Sequence, residues 1–170
     1  MDLGSEEPPD PRMFVEEVDI VPKMPANFQG NLKSSKWKER KEALDELASL
    51  LEKTPRIKEA SELGELARSL ATCIQKDANI NCVMVAAKCL EGLAKGLMSG
   101  FAKYRESVVP PMLERLKERK ANVTDAIGAA LDAVFQSVSR CVRPYILFTC
   151  PQLGHIDDSH GHTARHPARS

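Results

Sequence analysis

An all-α solenoid of stacked helix pairs is the fold class this sequence predicts, and three observations predict it. Three short polar turns, each followed by an apolar residue, recur at Trp37, Ile80 and Val123, 43 residues apart. Between them apolar residues fall three and four apart, the helical period. Aromatic residues make up only 5% of the chain while Ala and Leu are abundant, which suits packed helices better than a β-sandwich. A helical repeat of roughly 40–47 residues is the length of HEAT and armadillo units.

Taken in order, residues 1–24 are acidic and Pro-rich, and read as a disordered leader or linker. Phe14, Val18 and Ile20 are the residues in it able to dock on the body. Pro25 suits the first position of a short helix that carries Phe28 and Leu32 and stops near Ser34. A second helix is expected over 36–53, with Trp37, Ala43, Leu44, Leu47, Leu50 and Leu51 on its apolar side, ended by Thr54-Pro55. A third fits 61–76, with Leu63, Leu66, Leu70, Cys73 and Ile74 inward. Asn79 is a plausible cap for a fourth over 80–98, whose broad apolar stripe suits a central solenoid helix.

A fifth helix is expected over 101–120, kinked or restarted at Pro110-Pro111, with Met112, Leu113 and Leu116 inward. Asn122 caps a sixth, with Asp125 completing a capping box. At a shift of 43, Ala43, Ala86 and Ala129 coincide, as do Leu44, Ala87 and Ala130, small residues that allow close helix approach. The reading is thus three helix pairs, about 25–55, 61–98 and 101–136, with their inner turns on one edge. Residues 137–170 lose the spacing and are expected to be an irregular, disordered tail.

Charge excludes some classes. The formal total is zero, but residues 1–30 carry seven acids and two bases, and residues 31–136 carry eighteen bases and fifteen acids. So mild a positive balance does not suit nucleic-acid binding, which wants a strong basic stripe. No apolar run approaches the ~20 residues of a membrane span. Cys82 and Cys89 sit at helical spacing among apolar residues and read as buried thiols rather than disulfides. No Cys–His pair, phosphate loop or paired carboxylates are present in the helical part, so no catalytic residue and no cofactor is expected. His155, His160, His162 and His166 offer adventitious metal affinity, not an arranged site.

The turn Ser35-Lys36-Trp37-Lys38-Glu39-Arg40, the turn Lys76-Asp77-Ala78-Asn79-Ile80 and the run Lys117-Glu118-Arg119-Lys120 together resemble the TOG domains of the ch-TOG/Minispindles microtubule polymerase family. So do Val85–Leu97 and Val108-Val109-Pro110-Pro111-Met112-Leu113-Glu114. The likeness covers about 18–136 and is greatest to the second TOG of the family's arrays. It implies half of a six-repeat HEAT paddle that binds αβ-tubulin, mainly the β subunit, through its turns, in the cytoplasm, on microtubules, spindle poles and kinetochores. By the same resemblance Lys36, Trp37, Lys38, Asn79, Ile80, Arg119 and Lys120 are the tubulin-binding residues, with Trp37 the apolar anchor. The similarity ends at Gln136, where a fourth repeat is expected, as in a truncated form.

Each residue also has a plainer reading. A lone Trp at a helix start is often core, the Asn side chains are more often caps than ligands, and Lys117–Lys120 suits a helix end. The rival functions are a general helical-repeat scaffold that binds partners on a concave face, or a non-functional truncated product.

Overall fold

The computed structural model describes residues 11–25, 27–118 and 120–142, the last five by backbone alone. Among these residues six α-helices follow one another: α1 Phe28–Leu32, α2 Trp37–Glu52, α3 Glu62–Lys76, α4 Ile80–Leu97, α5 Arg105–Arg115 and α6 Ala121–Val142. They form two layers. Helices α2, α4 and α6 lie side by side, with α4 between the other two, while α1 covers α2 and α3 covers α4 and α5. This is the α-solenoid that the repeat and the helical spacing predict.

The core follows the apolar spacing closely. Ala43, Leu44, Leu47 and Leu51 of α2 are buried, as are Leu63, Leu66, Leu70 and Ile74 of α3. The central position of α4 explains its wide stripe: Cys82, Val83, Ala86, Ala87, Cys89, Leu90, Leu93 and Ala94 are all shut from solvent. Leu44, Ala87 and Ala130, one column of the 43-residue overlay, are each 0% exposed. Of the other column, Ala43 and Ala86 are buried but Ala129 is exposed.

Gly96 marks a tight approach inside the core. Its carbonyl accepts the Ile57 N–H at 2.9 Å, and a Cβ added there would stand 2.5 Å from Ile57 Cδ1. Ile57 is itself buried, with little room to retreat. Gly96→Ala should therefore cost about 1–3 kcal/mol by overpacking, read as a lowered urea midpoint with an unchanged slope.

Several expectations need correction. The first helix begins at Phe28, not Pro25, because Asn27 takes a left-handed conformation (φ 58°) that interrupts the chain between them. The break after α4 falls at Met98 (φ 51°), and a 3-10 stretch, Met98–Tyr104, leads into α5. No restart occurs at Val109: Pro110 and Pro111 lie inside α5. The carbonyls they leave without an N–H donor belong to Glu106 and Ser107, both exposed, where water can serve them. Leu113 is 49% exposed rather than inward, since the buried stripe of α5 runs through Val108 and Met112. Helix α6 starts at Ala121, so Asn122 lies in its first turn instead of capping it, and the helix runs six residues past Gln136. The rest of the expected tail, 143–170 with its four His, and residues 1–10 fall outside the described residues.

From Pro11 the leader is not loose, contrary to its composition. Val18 pairs with the α2–α3 connection: its N–H donates to Arg56 O at 3.1 Å and its carbonyl accepts from Lys58 N at 2.9 Å. Arg56 also reaches Glu17 at 2.7 Å. Ile20 is 0% exposed, within the main core. One buried isoleucine and a short ladder suffice to hold this strap.

Candidate functional site: an edge of three turns

Three connections, 33–36, 77–79 and 116–120, join the helices of each pair, and side-chain bonds tie them to one edge. Asp77 is the hub. Its carboxylate takes two bonds from Arg40, Nε at 2.8 Å and Nη2 at 2.9 Å, and a third from the Asn79 N–H at 2.8 Å. Arg40 reaches back to the first turn, donating to the Ser34 carbonyl at 2.8 Å. Arg115, at the end of α5, donates to the Asp77 carbonyl at 3.0 Å and to Gln75 O at 3.3 Å. One carboxylate and two guanidinium groups thus register all three bends.

The pair is nearly dry: the Arg40 and Asp77 side chains are 16% and 5% exposed. Burial pushes the Asp77 carboxyl up, but the bonds from Arg40 and Asn79 and the Arg40 charge outweigh it. The group ends below the usual carboxylate range. Its bond to Asp77 in turn raises Arg40. Cys73 lies beside this pair, its thiol 3.7 Å from Asp77 Oδ2. Burial first, and the Asp77 charge second, push Cys73 up to about 12. Burial drives Cys89 to about 12 as well. Both are protonated, poor nucleophiles at neutral pH.

Trp37 opens α2 and is 40% exposed. Its carbonyl accepts the Cys82 thiol at 3.5 Å, which pins the first turn of α2 against that of α4. The indole walls one end of an open groove of about 940 Å³, shared with Lys38 and Asn81. Lys36 precedes it as the helix cap residue, its ammonium paired with Glu39 at 2.9 Å. Ser34 donates to the same Glu39, and these contacts hold its carboxylate below the ordinary range. Lys38 is exposed and carries no ion pair among the described residues.

Asn79 is half-buried and its side chain accepts the Asn81 N–H at 2.9 Å as the cap of α4. Ile80 is half-buried against the core, with one face at the turn. Lys120 is exposed at the third turn, and its carbonyl accepts the Val123 and Thr124 N–H groups that start α6. Arg119 lies outside the described residues. So Lys36, Trp37, Lys38, Asn79, Ile80 and Lys120 share one rim, with the Asn79 side chain committed to its cap.

Sequence reasoning passed over Arg40, Asp77 and Arg115. A signal existed for the first: Trp37, Arg40, Leu44, Leu47 and Leu51 continue one three-and-four spacing, and Arg40 is the only charge in it. A charged residue on a buried stripe demands a partner. The overlay sharpens this, because the equivalent positions are Val83 and Ala126. Among the described residues no cluster of His, Cys, Asp or Glu is arranged to hold a metal, and no helix is long and apolar enough to cross a membrane.

A two-layer helical-repeat solenoid of this kind is the arrangement of a TOG domain. The chain belongs to the family of Alp14 and Mini spindles. It is 44% identical over 126 residues to the spindle pole body component alp14 of Schizosaccharomyces pombe, covering 74% of this chain and 15% of that protein. It is 43% identical over 130 residues to the protein mini spindles of Drosophila melanogaster, with 76% and 6% covered. To the zygote defective protein 9 of Caenorhabditis elegans it is 40% identical over 125 residues, with 74% and 9% covered. The chain therefore spans a small part of each relative's length.

A solved structure concerned with microtubule plus end tracking by XMAP215, CLIP-170 and EB1 superposes with a TM-score of 0.70 at 39% identity, over 76% of this chain and 54% of that one. Another, concerned with tubulin recruitment and assembly by microtubule polymerases with TOG domain arrays, gives 0.72 at 38% identity, over 78% and 28%. No protein-family model matches the chain.

Proposed function

We propose that this chain is a tubulin-binding module of a microtubule polymerase, and that it holds αβ-tubulin by the turn edge, mainly through the β subunit. Its action is capture without chemistry: the rim binds a dimer, and a chain carrying several such units would deliver dimers to a growing end. The unit corresponds to the second of such an array, as its motifs resemble. Its place is with microtubules in the cytoplasm, at spindle poles and kinetochores, in keeping with relatives named for the spindle pole body, the spindle and the centrosome.

The observation that carries this reading is Trp37, 40% exposed at the head of the first of three bends that Asp77 holds in line. An indole on a basic rim is the composition of an interface anchor, since hot spots favour Trp and Arg. Lys38 and Lys120, neither in an ion pair among the described residues, add long-range attraction to an acidic partner and set its salt dependence.

Reversing both, Lys38→Glu with Lys120→Glu, should weaken co-elution with αβ-tubulin by roughly tenfold at low salt, the scale of a charge-driven interface, and by less at high salt. Arg105→Glu, at the start of α5, should leave binding unchanged. Equal loss in both variants would place the contact elsewhere on the solenoid, as a concave-face scaffold requires.

A further inference from the structure

Beside the turn edge, on the α1–α3 side, lies an open cleft of about 830 Å³ that no role above uses. Its size falls within the ~300–1,000 Å³ of ligand pockets. Leu32 and the half-buried Cys73 form part of its floor, and Gln29 closes it by accepting the Ser69 hydroxyl at 3.0 Å. Lys33, at the end of α1, forms one lip. Arg68, Thr72 and Lys76, four residues apart on α3, form the other.

The cations of this cleft lie close together and are little used by the fold. Lys36, Lys41, Lys88, Lys95 and Lys103 each have a carboxylate partner. Lys33 and Lys76 have none among the described residues, and Arg68 spends only its Nε, on the Gly64 carbonyl at 3.2 Å. Two carboxylates line the same cleft. Asp77 is neutralised by Arg40, which leaves Glu65 against three available cations.

We infer that this cleft binds an extended acidic peptide segment of the same protein that the turn edge holds. Spacing selects a peptide over a compact anion. Arg68 and Lys76 are eight residues apart on a helix, a rise of about 12 Å, too far for one phosphate to bridge. An extended chain advances about 3.3 Å per residue, so carboxylates four positions apart match that separation, with Lys33 facing them and an aliphatic side chain on the apolar floor. The cleft opens where the first and second turns meet, at Lys33, Ser34, Asp77 and Ala78. A partner seated on the rim therefore reaches it without moving the solenoid.

The inference about the partner rests on the tubulin reading; that about the cleft does not, and the test separates them. The probe is a fluorescein-labelled peptide with three Glu on each side of a central Leu, titrated into the full chain without tubulin and followed by anisotropy. Lys33→Glu with Lys76→Glu should weaken it by about tenfold or more, a magnitude typical of charge-complementary contacts, with melting unchanged, whereas Trp37→Ala should leave it intact. Absence of peptide binding, or an equal loss from Lys117→Glu with Lys120→Glu, which lie outside the cleft, would overturn the site.

In the second arm the Lys33→Glu/Lys76→Glu variant is titrated with αβ-tubulin. A fall of several-fold, where Arg105→Glu gives none, supports a segment on the same partner. No fall, with the peptide arm positive, overturns the shared partner and leaves the cleft. If wild-type chain fails to bind tubulin while the peptide arm holds, the functional reading falls and the cleft stands.

Discussion

Asp77→Ala should lower stability by about 3–5 kcal/mol, because it strands the Arg40 guanidinium in a nearly dry setting without its counter-charge. For a body of this size that is a fall in Tm on the order of 10 °C. The loss exceeds a single ion pair because the same carboxylate also accepts the Asn79 N–H that opens the turn into α4. A double change of Arg40→Met with Asp77→Leu should recover much of it, since replacing both charges by apolar groups is often neutral. A thermal melt of the three variants reads both outcomes. An Asp77→Ala protein that melted with wild type would show the hub to be ornamental.

The same carboxylate gives stability a signed pH dependence. Its folded value lies below its unfolded value of about 3.8. The contribution is therefore full above roughly pH 4 and is lost as pH falls through the lowered folded value. Asp77→Asn should flatten the acid limb of the stability profile and leave its shape above pH 5 alone.

The second large effect falls on binding. Trp37→Ala should cost at least about 2 kcal/mol of affinity for αβ-tubulin, roughly 30-fold, the measure of an aromatic hot spot. Its effect on folding should be small, since the indole is 40% exposed and α2 keeps Leu44, Leu47 and Leu51 in the core. Titration against tubulin, set beside a thermal melt, separates the two. An affinity within twofold of wild type would remove Trp37 as anchor and favour a contact away from the rim. Lys36 should matter less than Trp37, because its ammonium already has Glu39 and lies 75% exposed, where such pairs contribute ~0–1 kcal/mol.

What the sequence made legible is whatever one helix can state alone. The stripes of α2, α3 and α4 were readable because burial of Leu44, Leu66 or Leu90 repeats every turn. Asn79 was readable as a cap because the bond it makes is two residues long. The errors arise where a distant partner decides. Composition marks the leader as disordered, and nothing near Ile20 announces that Arg56 and Lys58 will hold Val18 beside it. Pro110-Pro111 were given their local meaning, whereas the fold turns the two orphaned carbonyls to solvent and keeps the helix. Asp77 looked like ordinary turn chemistry because Arg40 stands 37 residues away in the chain. The rim was visible for a complementary reason: its residues recur at a fixed interval, and recurrence survives without knowing what touches what.

The hub carries a consequence for how such a rim can change. Three bends meet at one residue, two through its carboxylate and the third through its main-chain carbonyl, so none is an independent variable. A replacement at Arg40 or Arg115 shifts its own bend and, through Asp77, the aim of the other two. Tuning this surface for a new partner one position at a time is thereby discouraged, and whole bends must be exchanged together with the group that moors them.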